Sequence, residues 1–134
     1  MDVNQMPYIY KGTVCSDLEI IKTFIDEKLK LLGGIIQNRD ILFDIRIILN
    51  ELIVNGALHG NECMSSKCVT LSLEVVDNKL KIEVKDEGEG IDYDIKSYNP
   101  TELKCCGRGL VIVNGLSDEF YVDKNRVVAI KYFH

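Results

Sequence analysis

Glu51, Asn55 and His59 recur every four residues in the stretch Asn50-Glu51-Leu52-Ile53-Val54-Asn55-Gly56-Ala57-Leu58-His59-Gly60-Asn61. On a helix that spacing sets them in one polar stripe. The chemistry they offer is that of oxygen ligands and proton transfer. An Asn amide oxygen suits Mg²⁺, which keeps much of its shell for water and phosphate oxygens. A Glu one turn earlier can take a proton from an attacking hydroxyl or water. Two glycine-punctuated segments downstream offer what such a pair would work on. In Asp86-Glu87-Gly88-Glu89-Gly90 a carboxylate ends a strand, and the glycines let the chain turn tightly and a flat ligand approach. In Gly107-Arg108-Gly109 backbone amides at a helix start make an anion site, and Arg108 is placed to meet phosphate charge.

The elements that must hold these residues follow from periodicity. Tyr8 to Val14 suits an opening strand. Ser16-Asp17-Leu18-Glu19 matches a capping box led by Ser16, and Leu18, Ile21, Ile25, Leu29 and Leu32 mark the buried face of the helix after it. Gly33-Gly34 ends that helix. A second helix, capped by Asn38 or Asp40, runs to about Gly60, with Ile41, Ile45, Ile48 and Leu52 facing a core beside the polar stripe. Val69 to Val76 and Lys79 to Lys85 alternate as a hairpin around Asp77-Asn78, with one wet face. Continued parity puts Asp86 on the side of Leu80, Ile82 and Val84, where a carboxylate needs donors. Tyr93 to Cys106 reads as a mobile loop with a helical turn at Thr101 to Lys104. A short helix then starts at Gly107 with Leu110, Val113 and Leu116, and a last hairpin turns near Asn125.

A chain of 134 residues suits one domain over residues 1–134. Hydrophobic residues at 46% and charged residues at 28% exclude a disordered class. No apolar run approaches membrane-spanning length and no signal peptide is present, so a cytoplasmic protein with no membrane contact is expected. A net charge of −5 without a basic cluster argues against direct nucleic-acid binding. The five cysteines fit reduced thiols. Zinc ligation by His59, Cys63, Cys68 and the Cys105-Cys106 pair lacks the usual spacing.

Each residue has a plainer reading when taken singly. Asn55 can be a surface or packing amide, Asp86 can accept from a turn amide, and His59 can complement a helix dipole. Together they offer an acceptor for the exocyclic amine of adenine, a phosphate cradle, a metal ligand and a base. Glu51 through Asn61, Asp86 through Gly90, and Gly107-Arg108-Gly109-Leu110-Val111-Ile112-Val113 resemble the three ATP-site boxes of the gyrase, heat-shock chaperone, histidine kinase and mismatch-repair ATPase superfamily. The short chain and the Gly-Arg-Gly-Leu form look most like the anti-sigma-factor serine/threonine kinases within it.

The resemblance implies an α+β fold, a two-layer α/β sandwich in which a mixed, mostly antiparallel sheet carries helices on one face. It implies ATP and Mg²⁺ as cofactors. Glu51 would be the catalytic base, Asn55 the Mg²⁺ ligand and Asp86 the adenine partner. Gly88 and Gly90 would shape the adenine pocket, and Gly107, Arg108, Gly109 and Leu110 would form the phosphate end. The implied partners are a sigma factor, which is sequestered, and a small anti-anti-sigma antagonist, which is phosphorylated; members are often homodimers. Two departures stand out: Gly56 where many relatives carry alanine, and Asn125-Arg126-Val127-Val128 where many carry a threonine. Besides the kinase, the pattern admits an ATP-binding regulatory module without transfer and a gyrase-type ATPase. The ATPase is disfavoured because large coupled domains are lacking, and a sensor histidine kinase because no phosphoacceptor helix precedes the site.

Overall fold

A computed structural model of the chain describes residues 7–60, 66–88 and 105–133, with backbone alone for 59–60 and 105–108. The expected helical turn at 101–104, and the expected loop as far as 104, lie outside these. In chain order the described elements are β1 (Tyr8–Cys15), α1 (Leu18–Gly33), α2 (Arg39–Asn55), a π-helical turn (Gly56–Gly60), β2 (Cys68–Val76), β3 (Lys79–Lys85), α3 (Cys105–Leu116), β4 (Glu119–Asp123) and β5 (Arg126–Tyr132).

The strands form one sheet in the order β1-β2-β3-β5-β4. All four described pairings are antiparallel, so the mixed sheet expected from the resemblance is here wholly antiparallel among the described residues. Two of the pairings are tight hairpins. Asp77 and Asn78 both take positive φ, 51° and 61°, as a primed two-residue turn requires.

Alternation decides the layers. Val69, Leu71, Leu73 and Val75 of β2 and Leu80, Ile82 and Val84 of β3 are buried. Against them pack Ile21, Ile25, Leu29 and Leu32 of α1, Ile45, Ile48, Leu49, Leu52 and Ile53 of α2, and Leu110 and Val113 of α3. Each such side chain contributes about 1.5–3 kcal/mol relative to exposure. The result is a helix layer on one face of the sheet. Leu18, expected on the buried face of α1, is 50% exposed because it sits at the first helical position, beyond the sheet's cover. Lys28 is buried and places its ammonium 4.1 Å from the Tyr10 ring centre. That cation–π contact compensates a charge at the β1 margin.

The helix ends correct two expectations. Asp17, not Ser16, caps α1: its Oδ1 accepts from the amides of Glu19 at 3.0 Å and Ile20 at 3.3 Å. Ser16 is drawn away, its hydroxyl donating to Lys67 O at 2.9 Å. Asn38, not Asp40, caps α2, accepting from the amides of Asp40 and Ile41. The α-helix expected to reach Gly60 stops at Asn55 and widens into the π-turn.

Candidate functional site

The site is built around the C-terminal end of α2. Glu51 and Asn55 keep their four-residue spacing within α2, and both are half-buried. The α-helical repeat that defines their stripe ends at Asn55, so His59, in the π-turn, no longer follows it. Its side chain lies outside the described residues. Single π-turns accompany functional positions often enough to mark this one.

Two of the three boxes meet this helix end directly. α3 crosses α2 so that Gly109 lies against both polar residues. A Cβ at Gly109 would stand 3.0 Å from Asn55 Nδ2, and closer still to the Glu51 carboxylate. Only glycine admits this approach without moving them. On the other side, a Cβ at Gly56 would stand 3.5 Å from Asp86 Cβ and from Val69 Cγ2. Asp86 and Gly109 are thus brought to the same turn of chain, one residue either side of a shared centre at Asn55 and Gly56. Glu51 also lines a groove between α1 and α2 with Ile21, Ile25, Ile47 and Val54.

Asp86 follows β3 and is half-buried, as its strand parity predicts. Burial pushes its carboxyl above the ordinary carboxylate value, while the Gly88 amide and the Lys67 charge pull it down by less. Oδ1 accepts from the Gly88 amide at 2.7 Å, the turn contact that the plainer reading allows. Among the described residues no donor meets Oδ2. The aspartate's backbone is held from both sides by Asn125. The Asp86 amide donates to Asn125 O at 3.1 Å, and Asn125 Nδ2 donates to Asp86 O at 2.7 Å. Glu87 accepts from the Cys68 amide, which ties the start of the glycine turn to β2.

The segment expected to meet phosphate is described in part. α3 spans Cys105–Leu116, so the helix already covers the two residues before its expected start at Gly107. The side chain of Arg108 and the whole of Gly90 lie outside the described residues. Leu110 is 1% exposed; its side chain belongs to the core and supports the turn from beneath.

Sequence reasoning missed Asn125 and Lys67. Asn125 was visible only as a turn residue. Its work depends on the β3–β5 register, Lys85 opposite Arg126, carried one residue further.

The donor set suits a magnesium nucleotide. Asn55 Nδ2 is buried and has no hydrogen-bond partner among the described residues. Amide oxygen and nitrogen exchange places by a half-turn, so the unmet position can present an oxygen to a hard cation. Among the described residues no cluster of three or more His, Cys, Asp or Glu could hold a metal ion. Among the described residues no helix is long and apolar enough to cross a membrane.

Among the described residues a five-stranded antiparallel sheet lies under three α-helices, with Glu51 and Asn55 beneath a glycine of the third. Residues 18–131 match the histidine kinase-like ATPase domain, and the chain belongs to that family. Among curated relatives it is 30% identical over 92 residues to an anti-sigma F factor of Clostridium perfringens, covering 63% of this chain and 66% of that protein. It is 31% identical over 101 residues to the serine-protein kinase RsbW of Staphylococcus epidermidis, covering 68% of this chain and 64% of that protein. An anti-sigma F factor of Clostridium botulinum is 24% identical over 92 residues. The chain spans just under two thirds of the length of the first relatives it matches, 66%.

Proposed function

We propose that residues 1–134 are a single ATP-binding domain acting as an anti-sigma-type serine/threonine protein kinase. The observation that carries this reading is the packing of Gly109 onto Glu51 and Asn55, with the Asn55 amide buried and unmet among the described residues. The names of the two relatives, one an anti-sigma factor and one a serine-protein kinase, support the choice of partners. These are a sigma factor to be sequestered and a small antagonist to be phosphorylated, with the chain acting as a cytoplasmic homodimer.

In this reading Asp86 accepts from the adenine amine, with Gly88 and Gly90 shaping the pocket. Asn55 supplies the protein's oxygen to Mg²⁺, which neutralises phosphate charge when bound. The first turn of α3, with Gly107, Arg108 and Gly109, receives the phosphates. Glu51 takes the proton from a partner's hydroxyl as its oxygen attacks the γ-phosphorus and ADP departs. The α1–α2 groove that Glu51 lines gives that hydroxyl a path to the base.

Radiolabelled ATP, incubated with the purified chain and an antagonist encoded beside it, tests the proposal. Phosphate transfer to a serine or threonine is expected. Glu51→Ala should abolish transfer and keep nucleotide binding, whereas Asn55→Ala should lose magnesium-dependent binding. Unchanged transfer in Glu51→Ala would sink the base assignment. Nucleotide binding with no transfer by the unaltered chain would instead leave an ATP-binding regulatory module.

A further inference from the structure

We propose that Cys15 and Cys68 are a redox-modification site that closes to a reversible disulfide. Cys15 ends β1, Cys68 begins β2, and the register sets them directly opposite one another. Their neighbours Val14 and Val69 are 5% and 0% exposed and belong to the core. Alternation therefore turns both cysteines to the other face of the sheet, away from the helices. Both stand as thiols, Cys15 exposed and Cys68 half-buried.

The ladder also fixes what kind of pair they are. The Ser16 amide donates to Lys67 O at 3.2 Å, which makes Ser16–Lys67 a hydrogen-bonded pair. Alternation along an antiparallel ladder then makes Cys15–Cys68 a non-hydrogen-bonded one. The direction of the Cys68 amide agrees, since it donates away from β1, to the Glu87 carboxylate. In such pairs the Cα atoms lie about 4.5 Å apart and the side chains approach most closely. Disulfides span Cα separations of roughly 4.4–6.8 Å. The backbone already holds the geometry of the bridge.

With a peroxide as oxidant the step balances. The more exposed Cys15, as thiolate, attacks the O–O bond, keeps one oxygen as a sulfenic acid and releases the other as water. The Cys68 thiolate then attacks the Cys15 sulfur, the S–S bond forms and a second water leaves. Two thiols have given up two protons and two electrons, and one peroxide has become two waters. The bridge closes the loop that contains α1 and α2 and pins the end of the edge strand beside the Asp17 cap. It lies on the sheet face opposite Glu51, Asn55 and Gly109 and requires none of them to move.

The test is peptide mapping of the full chain after brief hydrogen peroxide treatment. Trypsin cuts after Lys67, so a Cys68–Lys79 peptide is separated from Cys63. The expected product is that peptide joined to Gly12–Lys22 within one chain, lighter by two hydrogens and restored by dithiothreitol. The oxidised chain should melt several degrees higher than the reduced one, because the bridge restricts the unfolded state. The same link should form when Cys63, Cys105 and Cys106 are all replaced by serine. The proposal is overturned if Cys15 and Cys68 are recovered unlinked or over-oxidised, if either joins another cysteine instead, or if the link forms only between chains. Mapping of the unaltered chain decides the matter even if the triple variant fails to fold.

Discussion

At Gly109 a hydrogen occupies the place where a methyl would press on the Glu51 carboxylate and the Asn55 amide. Both threatened atoms are the far ends of flexible side chains, so the fold can absorb Gly109→Ala by displacing them. Alanine also favours a helix over glycine by about 1 kcal/mol. The variant should therefore melt within a few degrees of the parent, while phosphate transfer falls by tenfold or more, since displacements of about 1 Å cost up to about a hundredfold. Thermal melts set beside initial rates measure the split; equal losses in both would contradict the geometry. Asp86 gives a pH signature. Its carboxyl is held above the ordinary range by burial, so the folded chain keeps that proton more tightly than the unfolded one. Its ionisation then lowers stability as pH rises from the ordinary carboxylate value through the raised one. If Asp86 accepts from the adenine amine as proposed, its ionised form is the stronger acceptor, so nucleotide affinity should fall on acidification at a higher pH than an ordinary aspartate would give. Titrations of affinity against pH should show that fall, and Asp86→Asn should flatten it. That Glu51, Asn55 and Asp86 gather at one helix end was legible from their spacing and strand parity. Asn125 was not, because it acts through backbone atoms across a register that appears only once the sheet has formed.

The end of α2 is where local sequence and tertiary demand diverge. Gly56 has helical φ and ψ of −60° and −43°, so nothing in its backbone requires glycine. A Cβ there would make ordinary contacts at 3.5 Å with Asp86 and Val69. Gly56→Ala should therefore stabilise the chain by about 0.5–1 kcal/mol with nucleotide affinity unchanged. A denaturation midpoint that falls would show that the Asp86 contact is tighter than it looks. Helix existence and faces were legible from apolar periodicity, as Ile45, Ile48 and Leu52 attest. The ends were less so. Ser16 and Asp17 are both good caps by type, and the choice between them was made by Lys67 O, far away in sequence. The π-turn at Gly56–Gly60 left no trace in the apolar periodicity.

Across the whole molecule, Lys131 joins three elements that carry or brace the site. From β5 its Nζ donates to Leu116 O at 2.7 Å, closing the C-terminal end of α3, and pairs with Asp44 of α2 at 3.1 Å. The last turn of α3 has no basic residue of its own, so this strand lysine supplies the charge that a helix C-terminus favours. Its side chain is only 15% exposed, which limits screening by solvent. Lys131→Met should destabilise by about 1–3 kcal/mol, read as a lower urea midpoint, with Asp44→Asn costing less because Leu116 O keeps its donor. A midpoint unchanged in Lys131→Met would show that α3 is held by its apolar face alone. The antiparallel order of the sheet was only partly legible. Hairpins announce themselves by turn residues such as Asp77-Asn78, whereas the pairing of β1 with β2 is settled by packing around two intervening helices.

That pairing has a kinetic consequence. Tyr8 meets Val75 and Cys15 meets Cys68, while the β2–β3 and β4–β5 ladders close through short turns. Closing a long loop costs more entropy than closing a short one, and non-local contacts form slowly. The hairpins and helices can therefore assemble before β1 finds its place beside β2. β1 adds to the margin of a sheet that its neighbours have already built, so this edge strand is among the last elements to fold.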